Sequence, residues 1–218
     1  MTYCVALKLD AGMVFASDSR TNAGIDQISC YKKMRNFVHP NDRMIVILSS
    51  GNLSITQNAI NLLERQGMDA SLHNIWNVQC RFDVAKLLGE GLREIRATDG
   101  VFLAQNNVDS SANFIEASDE NPYFQIGETK YGKPIIDRVI HKNTVLTDAI
   151  KCILVSFDST MRSNLSVGLP IDLACYNQGS FQLDLQQHIT QDDPYFSQIS
   201  RHWSEGLRGV FASLPNPD

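Results

Sequence analysis

A threonine set second in the chain, behind a methionine that small residues normally allow to be removed, becomes a nucleophile complete in one residue. Thr2 is that residue. Its freed α-amine accepts the proton of its own hydroxyl, the logic of an N-terminal threonine nucleophile. An α-amine titrates at about 7.7 to 8.0, so a useful fraction is neutral base at pH 7 and no histidine is needed. A positive charge beside hydroxyl and amine lowers the pKa of both, and a carboxylate keeps that charge aimed. Lys33 and Asp18 are the candidates. Without further context the same residues also read as an initiation remnant, a turn-capping aspartate and half of a solvated Lys32-Lys33 pair.

Whether these groups meet depends on the elements that carry them. Tyr3, Val5, Leu7 and Leu9 alternate with their neighbours, Asp10-Ala11-Gly12 supplies a turn, and Met13 to Ser17 returns as a second strand. That hairpin brings Asp18 back beside Thr2. Met34 to Val38 and Met44 to Leu48 predict a second strand pair, the latter a continuous apolar run suited to a sheet covered on both faces. Gly51 then leads into a helix carrying Ile55, Ala59, Leu62 and Leu63 and ending at Gly67. A second helix follows a possible Asp83 N-cap, with Val84, Leu87, Leu88, Leu92 and Ile95 on its stripe. Short strands are expected around Asn113 to Ala117 and Tyr123 to Ile126. Leu146, Ala149, Ile150, Ile153, Leu154 and Phe157 mark a third helix. Ile171, Leu173, Cys175 and then Phe181, Leu183, Leu185 alternate as a hairpin around Asn177 to Ser180. Asp193-Pro194 opens the last helix, which carries Phe196, Ile199, Trp203, Leu207 and Val210. Two sheets between helical layers is the natural assembly of this order.

Composition narrows the function classes. The 218 residues predict one domain spanning 1–218, with no repeat, linker or low-complexity tract. A formal net charge of −5 without a basic cluster argues against a nucleic-acid partner. The longest aliphatic run, Met44 to Leu48, is far too short to span a bilayer, and no basic region precedes an apolar one at the start, so a cytoplasmic protein without membrane attachment is expected. Five cysteines, Cys4, Cys30, Cys80, Cys152 and Cys175, are odd in number and scattered, which reads as reduced buried thiols rather than disulfides. The five histidines show no ligand spacing, so neither a metal nor a cofactor is expected.

The stretch from Thr2 to Ser19, TYCVALKLDAGMVFASDS, followed by Arg20, Ala23-Gly24, Lys32-Lys33-Met34 and Ser49-Ser50-Gly51-Asn52, resembles the β subunits of proteasomes and their bacterial relatives. Ser166-Val167-Gly168 and the chain length agree with that resemblance. The wording FASDSRTNAG and the segment YGKPIIDR from Tyr131 to Arg138 resemble one bacterial branch in particular, Anbu, the ancestral β subunit.

The resemblance implies an α+β fold, the four-layer αββα sandwich of N-terminal-nucleophile hydrolases. It also implies a threonine-type amide hydrolase acting on a peptide or amide substrate, and self-association into a large homo-oligomer through contacts that include the first two helices. By position it assigns attack to Thr2 and tuning to Asp18 and Lys33, and it places Ser166 in the catalytic set. Gly51 would give an oxyanion-binding N–H, although Ser50-Gly51-Asn52 alone reads as an ordinary strand-to-helix turn. Lys33 aligns with the family lysine if a one-residue gap falls in the preceding loop; otherwise the position is Lys32. Arg20 follows as an accessory residue.

Two positions depart from the family. Glu128 stands where a Ser is expected after Ile126-Gly127, and Ser163 stands where an Asp is expected three residues before Ser166. Glu128 either faces Thr2, raising the amine pKa, or points to solvent or pairs with Lys130 or Lys133. These departures keep two rival readings open, a noncatalytic assembly subunit on the same fold and a small-molecule amidase or acylase.

Overall fold

The computed structural model describes residues 1–22, 28–105 and 117–217, and the expected strand around Asn113 lies outside them except for Ala117. The chain forms two compact units, Met1–Leu48 with Ala117–Asp218, and Ser49–Glu116.

In the first unit the opening hairpin forms as its alternation predicts. Strands β1 (Tyr3–Leu9) and β2 (Gly12–Asp18) pair antiparallel with Leu9 opposite Gly12 and Cys4 opposite Ser17. Gly12 turns the hairpin with φ of +145°, against the Tyr176 carbonyl where a side chain would not fit. Strands β7 (Tyr123–Gly127), β8 (Ile171–Asn177) and β9 (Leu185–Ile189) complete an antiparallel sheet of order β7-β1-β2-β8-β9. Short β3 (Arg20–Asn22) pairs with β4 (Ile28–Cys30), and β5 (Met34–His39) pairs with β6 (Arg43–Leu48) as separate ribbons.

The period of two sorts the sheet into two faces. Tyr3, Val5, Leu7, Val14, Ala16, Ile171 and Leu173 pack with Ile153, Leu154 and Phe157 of α4 (Leu146–Ser163), Ile136 of α3 (Lys133–Val139) and Phe196 and Ile199 of α5 (Pro194–Ala212). Ala6, Met13, Phe15 and Ala174, on the alternate positions, pack with Met34, Met44, Val46 and Leu48 of the β5–β6 ribbon. Full burial of each large aliphatic side chain stabilises by about 1.5–3 kcal/mol relative to exposure, so the pattern fixes register as well as fold. A slip of one residue would turn Tyr3 and Val5 out of the helical core.

The second unit contains α1 (Leu53–Gly67) and α2 (Arg81–Gln105), joined by Ile55, Ala59 and Ile95 with Leu92 against them. Asn52 caps α1 by accepting from Ile55 N–H at 3.2 Å. Asp83 is not an N-cap. It lies in the first turn of α2, and its carboxylate reaches back to Cys80 N–H at 3.3 Å, the acidic half of a capping box.

Three further expectations are corrected. The β8–β9 hairpin begins its return at Leu185, not Phe181, with Cys175 opposite Leu185 and Ile171 opposite Ile189. Asp184 explains the shift, since it accepts from Asn177 N–H at 2.7 Å and Ser180 Oγ at 2.9 Å and so holds residues 178–184 as a loop. Cys30 and Cys80 are exposed, whereas Cys4, Cys152 and Cys175 are buried; burial pushes the Cys152 thiol up to about 12. Short α3 is additional, opened by Pro134 in its first turn.

Candidate active site

Strand register decides what surrounds Thr2. Tyr3, just inside β1, is anchored deep in the helical core. Its ring lies 4.6 Å from that of Phe157, and its hydroxyl donates to Ser156 Oγ and accepts from Gln125 Nε2. On one flank, Tyr3 N–H donates at 2.9 Å to the side chain of Asp18, at the end of β2. On the other, Tyr3 pairs with Gly127, and Glu128 N–H donates to the Thr2 carbonyl at 2.7 Å. Gly127 has φ of +86°, and a Cβ there would collide with that carbonyl, so both the turn and the close approach require glycine. Thr2 is thereby clamped between two strands with 7% of its surface exposed.

Lys33 enters from the residue before β5. Its Nζ donates to Asp18 Oδ1 at 2.8 Å, to the Arg20 carbonyl at 2.7 Å and to the Met1 carbonyl at 3.2 Å. Lys33 is 6% exposed and Asp18 fully buried. Lys32 is exposed. Burial raises the Asp18 carboxyl above its ordinary range, and the charge and hydrogen bond of Lys33 oppose that rise without cancelling it. The Met1 carbonyl belongs to the same peptide plane as Thr2 nitrogen, so the ammonium of Lys33 touches the peptide unit whose cleavage would release the threonine amine. Met1 itself is 64% exposed.

The other flank carries a chain of amide contacts. Glu128 is 7% exposed, and its Oε2 accepts from Asn164 Nδ2 at 2.9 Å. Lys133 pairs with Asp137, and among the described residues no ion pair joins Glu128 to Lys130 or Lys133; buried as it is, Glu128 does not point to solvent either. Asn164 closes α4, and its Oδ1 accepts from Ser166 N–H at 2.9 Å. Asn164 therefore connects Glu128 to the loop that bears Ser166. Nothing in the sequence pattern singled it out, because a polar residue at a helix end is ordinarily a cap. Ser163 is the exposed last residue of α4.

Arg20 ties this loop to the lysine. Its backbone carbonyl accepts from Lys33, its guanidinium donates to the Leu165 carbonyl at 2.8 Å, and Gly168 lies flat against the guanidinium where a Cβ would clash. Gly51 belongs to the second unit, where φ of +105° makes the turn before Asn52. Ser19 Oγ donates to Asp172 Oδ2 at 3.2 Å, and His188 Nδ1 lies 2.7 Å from Asp172 Oδ1. With the carboxylate in the middle, His188 has no path to the serine proton, so this trio is not a nucleophile and its base. Among the described residues, no group of His, Cys, Asp and Glu has the geometry to hold a metal ion, and no helix is long and apolar enough to cross a membrane.

Solved structures match over essentially the whole chain. Anbu (ancestral β-subunit) from Yersinia bercovieri is 45% identical with a TM-score of 0.91, covering 99% of each chain. The helical assembly of the Anbu complex from Pseudomonas aeruginosa is 42% identical with a TM-score of 0.93, covering 99% of this chain and 98% of that one. Anbu from Hyphomicrobium sp. strain MC1 is 38% identical with a TM-score of 0.90, covering 99% of each. No family model matches the chain, and no curated protein does. The likeness and the helices with antiparallel sheets make the fold an α+β sandwich of the N-terminal-nucleophile hydrolase type.

Proposed function

This chain belongs to the Anbu family of proteasome-related ancestral β subunits, and from that premise we propose that it is a threonine-type amide hydrolase, most naturally a peptidase, whose nucleophile is Thr2 once the preceding residue is removed. The carrying observation is the placement of Lys33 Nζ on both Asp18 and the Met1–Thr2 peptide unit, at 2.8 and 3.2 Å. In the mechanism Thr2 Oγ attacks the substrate carbonyl carbon while the α-amine takes the hydroxyl proton. The same ammonium then returns a proton to the leaving amine, and water, deprotonated by the amine, releases the acyl group. Lys33 favours the alkoxide-like oxygen and the neutral amine electrostatically, and Asp18 keeps Lys33 charged and aimed. Gly51 is assigned to the oxyanion and Ser166 to the terminal amine or its water, by family position.

The departures at Glu128 and Ser163 favour a second reading, an assembly subunit with a vestigial threonine. Self-association belongs to both readings. It is supported by the helical assembly of the Pseudomonas aeruginosa relative and by Leu207, Val210 and Phe211 near the end of α5 and Leu214 just beyond it, all of which are exposed. Incubation with a peptide-library substrate separates the readings. Cleavage that disappears in Thr2→Ala supports the hydrolase, whereas a chain that assembles but cleaves neither peptides nor simple acyl amides is the assembly subunit.

A further inference from the structure

Asn164 ends α4 with its backbone already satisfied, its N–H donating to the Thr160 carbonyl at 2.9 Å and its carbonyl accepting from Val167 N–H at 3.1 Å. The side chain is therefore free for other work. Its Oδ1 accepts from Ser166 N–H at 2.9 Å, its Nδ2 donates to Glu128 Oε2 at 2.9 Å, and the same Nδ2 lies 3.9 Å from the sulfur of Met1. Met1 is the residue whose loss uncovers the Thr2 amine, so Asn164 stands in the wall of the space that Met1 leaves. Glu128 comes to the same place from β7, where its N–H holds the Thr2 carbonyl at 2.7 Å. Its side chain is buried, and among the described residues no ion pair includes it. A buried carboxylate answered by an amide is incomplete until a cation faces it, and the threonine ammonium supplies one.

We infer that Asn164 is a positioning residue of the Thr2 site, holding the Glu128 carboxylate toward the freed amine and Ser166 on the same rim. The other charges around Thr2 are already matched. Lys33 and Asp18 answer each other on the β2 flank, the Arg20 guanidinium is held at the Leu165 carbonyl, and Lys133 pairs with Asp137. An amide suits the position because its two ends differ: one donates to a carboxylate while the other accepts from an N–H, which neither a carboxylate nor an alkyl group can do. Asn164 acts on the amine through Glu128 alone. Its effect on turnover rests on the hydrolase reading, and its effect on the amine does not.

Acetylation of the Thr2 α-amine by acetic anhydride, followed against pH by peptide mass spectrometry in the Met1-free chain, tests the role, because only the neutral amine reacts. N164A lets the carboxylate turn away, and the midpoint of the pH dependence is expected about 0.5 pH unit lower. N164D, of the same shape, sets a second negative charge beside the first, and its midpoint is expected about 0.5 pH unit higher. The double variant E128Q/N164D keeps one carboxylate and one amide in reversed places and returns toward wild type. The rising limb of the pH–rate profile for an acyl amide moves with each midpoint. Midpoints unchanged in both single variants overturn the inference, whatever their stability in urea, and leave the hydrolase reading standing where amides are cleaved. A midpoint moved in N164D alone also overturns it, since a charge placed at 164 acts without any positioning. Midpoints that move as expected in a chain that cleaves no amide uphold the inference and remove the hydrolase.

Discussion

Thr2 is held differently on its two flanks. On the β2 side stands a buried ion pair in which Lys33 meets Asp18, the Arg20 carbonyl and the Met1 carbonyl, with almost no solvent. On the β7 side stands a relay of backbone and amide contacts, from Thr2 through Glu128 and Asn164 to Ser166. The first is an all-or-none device, because removing either ion strands the other in a medium that cannot solvate it. The second can be edited one hydrogen bond at a time, at about 1 kcal/mol each. Substitution at Glu128 or Asn164 therefore edits the β7 side by single contacts, while the β2 side tolerates no such change.

The widest difference is expected for the nucleophile itself. Thr2→Ala lowers amide hydrolysis by about 10⁴-fold or more while circular dichroism and assembly stay unchanged, since alanine keeps the backbone carbonyl through which Glu128 N–H holds residue 2. Lys33→Ala comes next. It leaves Asp18 buried without its cation and costs about 3–5 kcal/mol in urea unfolding, together with the activity. Lys32→Ala, on an exposed side chain, stays within about 0.5 kcal/mol. Equal effects of the two lysine variants would erase the distinction between the flanks.

Gly127→Ala probes the clamp between them. A side chain at φ of +86° that also meets the Thr2 carbonyl costs about 1–3 kcal/mol or more, visible in the melting temperature. Glu128→Ser sharpens the β7 side. It removes the carboxylate that accepts from Asn164, at about 1 kcal/mol of stability. If that carboxylate acts on the threonine amine, its loss leaves the amine more often neutral and moves the rising limb of the pH–rate profile to lower pH. An unmoved limb with the same loss of stability makes Glu128 a structural residue only.

The smallest effect is electrostatic. The folded protein holds the Asp18 proton to a higher pH than the unfolded chain, whose carboxyl titrates near its ordinary 3.8. Native Asp18 binds more proton in that window, so its contribution is fully present below 3.8 and is lost as pH rises through the raised folded value. The stability difference between wild type and Asp18→Asn, followed by urea unfolding from pH 3 to 7, should decline with rising pH. A difference that grows with pH would mean that Lys33 dominates burial.

The β2 flank was legible in sequence because it follows from strand arithmetic. A hairpin turning at Gly12 must return Asp18 opposite Tyr3, whatever else the chain does. In sequence only the position of an alignment gap separates Lys33 from Lys32, and the placement of Lys33 Nζ on Asp18 makes Lys33 the buried partner. The β7 flank was less legible, since Asn164 acts through two atoms of an ordinary helix-end amide and leaves no spacing to detect. In the late hairpin Phe181 and Leu183 continue the apolar alternation, while the polar Asp184 fixes where pairing resumes. Alternation reports burial, and a loop side chain such as Leu183 packs against the core without joining a strand.

The central claim, a free Thr2 amine and hydroxyl acting as one unit, is tested most directly by mass spectrometry of native protein before and after a peptide epoxyketone. That warhead closes a ring only with an amine and a hydroxyl on the same terminal residue. The expected result is a chain beginning at Thr2 and an adduct mapping to Thr2 that abolishes hydrolysis. A preparation that retains Met1 in full and still hydrolyses amides would contradict it.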